Sequence, residues 1–213
     1  MSPEANALLR SDLNRLGTFL PPEGHALEDE EPLFAATKEF AAEFGGPITQ
    51  AFLQKLPQEW NQELLVIDSA LMWLPVGAWP GPLLFHRERY TESNEGAFGI
   101  TNADLSLEHI VVVLSPIGFE ILVGDVPTSM SERSMEVIWA GAESDAARRD
   151  ANLCAMLDQG QLSLETVAPG EMIRYSAATF YRFRPSAKAG FHLSLRATRG
   201  SHQPLVNGFR TIV

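Results

Sequence analysis

The stretch that most constrains this chain runs from Leu162 to Arg199. Apolar and polar residues alternate there at strand spacing, and turn-forming residues separate the runs. Leu162-Ser163-Leu164-Glu165-Thr166-Val167 leads through Ala168-Pro169-Gly170 into Glu171-Met172-Ile173-Arg174-Tyr175-Ser176. Thr179 to Arg184, Gly190 to Thr198 and Gly208 to Val213 follow as further strand candidates. Once these strands resume, no helical period interrupts them.

Upstream, the same pattern begins after Trp60. Leu64-Leu65-Val66-Ile67, Ala70-Leu71-Met72-Trp73-Leu74 and Pro82-Leu83-Leu84-Phe85-His86 are apolar runs of strand length. His109 to Leu114 is the best strand of the chain, rich in β-branched residues, and Ser115-Pro116-Ile117-Gly118 predicts a hairpin into Phe119 to Val123. Met135 to Trp139 is a further candidate. One helix is predicted between strands, near 144–157, with Ser144 and Asp145 as the cap and Gly160 after the last turn. Tyr90 to Asp104 reads as a polar loop.

The first 60 residues read instead as helical. Ser2 caps and Pro3 opens a segment with Leu8, Leu9, Leu13 and Leu16 on one face, ended by Gly17 and Pro21-Pro22. A second helix is predicted from Pro32 to Phe44, stopped by Gly45-Gly46-Pro47, and a third from Ile48 to Leu56. Eight or more strands behind such a segment predict a mostly β fold with some α. The expectation is one domain over 1–213: a jelly roll in 61–213, an N-terminal helical layer over 1–60 and one inserted helix.

Composition narrows the partners. A formal charge of −11 disfavours nucleic acid and anionic membrane surfaces, leaving a small molecule or a peptide, with a homodimer compatible. The single cysteine, Cys154, allows no internal disulfide and no multi-cysteine zinc site, and reads as a structural thiol on a helix. No apolar run approaches the ~18 residues of a membrane span. The opening Met1-Ser2-Pro3-Glu4 has no basic region leading into an apolar core, so the expectation is a cytoplasmic protein. Trp60, Trp73, Trp79 and Trp139 are expected in the core, with Trp79 able to line a mouth loop.

His86 and Glu88 are one residue apart at the end of an apolar run. A strand points both side chains to one face, which supplies two thirds of a 2-His-1-carboxylate facial triad. The same spacing also describes a solvated charge run, His-Arg-Glu-Arg. His192 falls in phase with Ser194 and Arg196, so the three share a face; it reads either as a pocket residue or as a satisfied core histidine. His109 reads as a strand-edge residue. No phosphate-binding glycine loop, Rossmann fingerprint or nucleophile elbow is present.

Phe85-His86-Arg87-Glu88, together with Ala168-Pro169-Gly170-Glu171-Met172-Ile173, Tyr181 to Pro185 and Gly190 to Arg196, resembles the iron(II)/2-oxoglutarate-dependent dioxygenase-like family. That family has a double-stranded β-helix, or cupin-type, fold. The resemblance spans roughly Trp73 to Val213. It implies Fe(II) held by His86 and Glu88, 2-oxoglutarate as cosubstrate, and a later arginine, Arg196 or in its place Arg199, on the far carboxylate. The position of the distal histidine ligand carries Tyr181 instead. Three readings follow: Tyr181 binds metal as a phenolate, His192 or His202 supplies the third ligand, or the barrel binds ligand without metal. A cupin-type metalloenzyme that does not use 2-oxoglutarate is a further alternative.

Overall fold

The computed structural model describes residues 8–62, 64–81, 83–86, 107–115, 117–127, 145–201 and 204–210. In chain order these form β1 (Leu8–Ser11), β2 (Asn14–Thr18), β3 (Leu33–Phe34), α1 (Lys38–Phe44), α2 (Pro47–Lys55) and β4 (Leu65–Leu74). There follow β5 (Glu108–Leu114), β6 (Phe119–Pro127), α3 (Asp145–Asp158), β7 (Ser163–Val167), β8 (Glu171–Ser176), β9 (Tyr181–Phe183), β10 (Gly190–Arg199) and β11 (Gly208–Phe209).

A five-stranded antiparallel sheet has the order β2-β8-β5-β10-β4. A second antiparallel sheet is built on β6, which pairs with β1, β7 and β9. His86 bridges Tyr181 and so extends the second sheet past β9. From β4 onward the chain therefore shuttles between sheets: β4 in the first, His86 beside the second, β5 in the first, β6 and β7 in the second. β8, β9 and β10 then alternate again. This interleaving is that of a jelly roll, the double-stranded β-helix expected from the strand succession.

Close backbone approaches fix two of the crossings. Gly170, at φ 79°, donates its N–H to the Val113 carbonyl at 2.8 Å and accepts from the Phe19 N–H at 2.7 Å. Its left-handed φ is one that glycine adopts without penalty. At Gly118 a Cβ would lie 2.3 Å from the Val167 carbonyl oxygen, so only glycine fits where the chain passes from β5 to β6.

Three apolar clusters divide the layers. Leu65, Ile67 and Leu71 of β4 and Leu193, Leu195 and Ala197 of β10 pack under Ile48, Phe52 and Leu53 of α2 and against Trp60. Between the sheets lie Val111, Val113, Phe119, Ile121, Ile173, Tyr175 and Tyr181. Leu153 of α3 packs with Phe85, Leu122, Val126 and Phe180. Each fully buried aliphatic side chain contributes about 1.5–3 kcal/mol. The helical layer is anchored by Glu30: Gly46, which opens α2, has no side chain to cap with, and the buried Glu30 carboxylate accepts from the N–H groups of Ile48 (2.6 Å) and Thr49 (3.1 Å) instead.

Several expectations are corrected. Residues 8–18 form β1 and β2, not a helix. Their leucines do not make one face: Leu8 and Leu16 are exposed, while Leu13 packs between the sheets. The open edges of β6 and β8 reward two short strands more than a lone helix would be rewarded. The second helix begins at Lys38 rather than Pro32, because Leu33 and Phe34 pair with β11 and Thr37 provides the cap. The two runs around Ile67 and Leu71 are one ten-residue strand. β5 and β6 make no hairpin, since both edges of β5 are taken by β8 and β10. Trp60 is core, but Trp73 and Trp79 are exposed. Met135 to Trp139, Trp139 included, the loop Tyr90 to Asp104, and His202 lie outside the described residues.

Candidate functional site

The alternation of β10 builds the site. Phe191, Leu193, Leu195 and Ala197 face the helical layer, so His192, Ser194, Arg196 and Thr198 turn between the sheets. Arg196 stands opposite Asp68 on β4 and Val111 on β5, and Ser194 opposite Ala70 and Val113. A cavity of about 160 Å³ lies against this face. The five-stranded sheet gives it Asp68, Ser194, Arg196, Val111, Val113 and Tyr175; the other sheet gives it Phe119, Tyr181 and Phe183. Arg210, just past β11, completes the charged part of the lining.

Asp68 organises that part. It is 5% exposed, and its carboxylate accepts from Arg196 Nη2, Arg210 Nη2 and the Ala35 N–H, each at 3.1 Å. Three donors offset the cost of burying a carboxylate. The two guanidiniums sit on different oxygens, Arg196 on Oδ2 and Arg210 on Oδ1.

At the aromatic wall, Tyr181 meets a second predicted residue, His86, which lies behind it. His86 and Tyr181 exchange backbone hydrogen bonds, His86 N–H to Tyr181 O at 3.0 Å and Tyr181 N–H to His86 O at 2.8 Å. Their rings lie 4.2 Å apart. Tyr181 is further packed by Tyr175 (5.9 Å), Phe183 (6.0 Å) and Phe119 (6.1 Å). His86 Nδ1 lies 3.2 Å from the Leu84 carbonyl oxygen, which can only accept, so Nδ1 is the donor in that contact. Ligating histidines typically have this arrangement, the second nitrogen donating to a carbonyl or carboxylate. Imidazole and phenol are donor types that iron accepts; Tyr181 lines the cavity, whereas His86 is not among the residues that line it. Among the described residues no three His, Cys, Asp or Glu side chains converge. Glu88, the expected carboxylate ligand, lies outside the described residues.

The other predicted residues are dispersed. His192 is 1% exposed, and its ring lies 5.8 Å from that of Phe183; it does not line the cavity. Its Nδ1 has no hydrogen-bond partner among the described residues, and burial pushes its pKa down to about 4. Arg199 points to the helical side of the sheet, where it pairs with Glu108 and lies 4.9 Å over the Trp60 ring. His109 is fully buried, with Nδ1 3.0 Å from Thr198 Oγ1 and its ring against Tyr175. Burial and the neighbouring Asp150 push the Cys154 thiol up, in keeping with a structural role.

Asp68 and Arg210 escaped the sequence reading. Asp68 had a signal, a lone charge inside the apolar run from Leu65 to Leu74. Arg210 had none, because only the pairing of β11 with β3 brings the chain end to the cavity.

No family model and no curated protein matches this chain. Two solved structures are remotely similar. One is a non-heme monooxygenase, ThoJ, in a nickel complex, at 10% identity and a TM-score of 0.37, over 92% of this chain and 75% of that one. The other is AviO1 from Streptomyces viridochromogenes Tue57, at 14% identity and a TM-score of 0.42, over 92% of each chain. Likeness at this level is slight, and the fold rests on the strand order above.

Proposed function

We propose that the chain is a non-haem iron(II) oxygenase-like protein that holds 2-oxoglutarate between its sheets and acts on a small molecule or peptide. The observation that carries this reading is one cavity shared by the Arg196 guanidinium and by Tyr181, whose backbone is paired with His86. His86 through Nε2, Tyr181 through its phenol and Glu88 through its carboxylate are the residues to hold the metal. Bound iron would supply dioxygen activation coupled to oxidative decarboxylation of 2-oxoglutarate, as the family resemblance implies.

The chain's own residues bind and orient. Arg196 offers a planar fork to a carboxylate, held in place by Asp68. Val111, Val113 and Phe119 give the connecting methylenes an apolar wall and keep water from them. The Leu84 carbonyl holds the His86 ring in the tautomer that presents Nε2.

A second reading, a metal-free binding barrel, is favoured by the phenol of Tyr181 where an imidazole is expected. Elemental analysis before and after anaerobic Fe(II) loading, with a 2-oxoglutarate titration, separates the two. Near-stoichiometric iron, lost in His86→Ala, with a charge-transfer band on adding 2-oxoglutarate, supports the oxygenase reading. Ligand binding that persists unchanged in chelator, with no metal retained, selects the binding barrel.

A further inference from the structure

The cavity carries a second cation that the family resemblance does not account for. Arg210 lines it together with Arg196, although the two arise from different elements, β10 and the segment after β11. Their exposures differ: the Arg196 side chain is 20% exposed and that of Arg210 39%, so Arg210 stands nearer the solvent. One buried carboxylate fixes both, a separate Asp68 oxygen to each guanidinium. Their spacing is therefore built into the fold rather than found on binding, which lowers the cost of ordering them around a ligand.

We propose that Arg210 is a ligand-recognition residue which, with Arg196 on the shared Asp68 carboxylate, forms a two-guanidinium subsite for the far carboxylate of a short dicarboxylate. This deepens the reading above and rests on it. A guanidinium has five N–H donors. Arg210 commits Nη2 to Asp68 and Nε to the Leu33 carbonyl at 3.3 Å. Asp68 itself lines the cavity, so this ion pair draws Arg210 into the lining beside Arg196. The volume, about 160 Å³, is below the roughly 300–1,000 Å³ of sites for drug-sized ligands, which is in keeping with a small occupant. A short chain with a carboxylate at each end meets this lining: apolar side chains along its middle and paired forks at one end.

Arg210 reaches the site on a defined tether. Gly208 pairs with Phe34 and Phe209 with Leu33, the Arg210 N–H donates to the Pro32 carbonyl at 2.8 Å, and the guanidinium lies 4.7 Å over the Phe34 ring. An arginine that served only to fasten β11 to β3 would affect stability and leave ligand choice alone. That difference is the test.

The full chain is titrated calorimetrically with 2-oxoglutarate and with 2-oxobutyrate, which lacks the far carboxylate, in Mn(II) and in chelator, with thermal melts alongside. The unsubstituted protein is expected to prefer 2-oxoglutarate by about tenfold or more, the scale of one charge-assisted pair. Arg210→Gln should lose about tenfold toward 2-oxoglutarate and keep its 2-oxobutyrate affinity within about twofold. If Arg210→Gln does not fold, Arg210→Lys retains the charge and should still lose part of the preference, because an ammonium cannot fork. An unchanged preference in either folded variant, with Arg196→Gln impaired, overturns the role of Arg210 and leaves the site reading standing. Equal binding of both acids, or of neither, by the unsubstituted protein overturns both.

Discussion

The two faces of the five-stranded sheet carry opposite chemistries on the same strands. Toward the helices, β4 and β10 present Leu65, Ile67, Leu71, Leu193, Leu195 and Ala197, buried in one cluster. Toward the second sheet the same strands present Asp68, Ala70, Ser194 and Arg196 around a cavity. The strand period of two separates stability from binding residue by residue. A change at one position should therefore move one property, and a change at its neighbour the other.

The largest expected effect tests where that division fails. Asp68 belongs to the binding face, yet Asp68→Ala removes the shared carboxylate from two guanidiniums and the acceptor from the Ala35 N–H. Breaking a buried pair in this way costs about 3–5 kcal/mol, so urea unfolding should show a large loss together with weakened anion binding. Next comes Leu195→Ala on the helical face. It should cost about 2–5 kcal/mol with 2-oxoglutarate affinity unchanged. An affinity change there would show that the faces are mechanically coupled.

His192 sharpens the comparison through pH. It faces inward but does not line the cavity described above, and burial lowers its pKa from 6.5 to about 4. Between those values the unfolded chain binds more protons than the folded one, so stability rises with pH across that window. It is lost as pH falls through the window, by on the order of 3 kcal/mol in total. Urea unfolding above and below the window, in the unsubstituted protein and in His192→Leu, isolates this from the carboxylates. Identical pH slopes in the two proteins would mean that His192 is not the group.

Fold and site were legible to different depths. The alternation from Leu162 to Arg199 and the Pro169-Gly170 turn carry enough local chemistry to announce the jelly roll, because strand period and turn residues are local properties. Residues 8–18 were misread because their leucines satisfy a helical spacing, while the open sheet edges that claim them are set by distant sequence. The phase of His192, Ser194 and Arg196 could be read from β10 alone. Their partners could not: Asp68 is 128 residues from Arg196 and 142 from Arg210, and nothing in either segment names the other. Arg196 and Arg199 looked interchangeable until the strand placed them on opposite faces.

That pair gives the smallest expected effect and the cleanest separation. Arg199 lies three positions after Arg196, so the alternation turns it toward the helices, onto Glu108 and over Trp60. Glu108 also accepts from Arg174 Nη2 at 2.6 Å, so Arg199→Gln leaves it paired. The loss includes a partly exposed ion pair and a cation–π contact, together about 1 kcal/mol. Urea unfolding should register that loss and calorimetry should find 2-oxoglutarate affinity unchanged. Arg196→Gln should do the reverse in proportion, lowering affinity by about tenfold or more. Equal affinity losses in the two variants would mean that charge near the end of β10, rather than the face it occupies, attracts the anion. The site would then have to be sought outside the cavity.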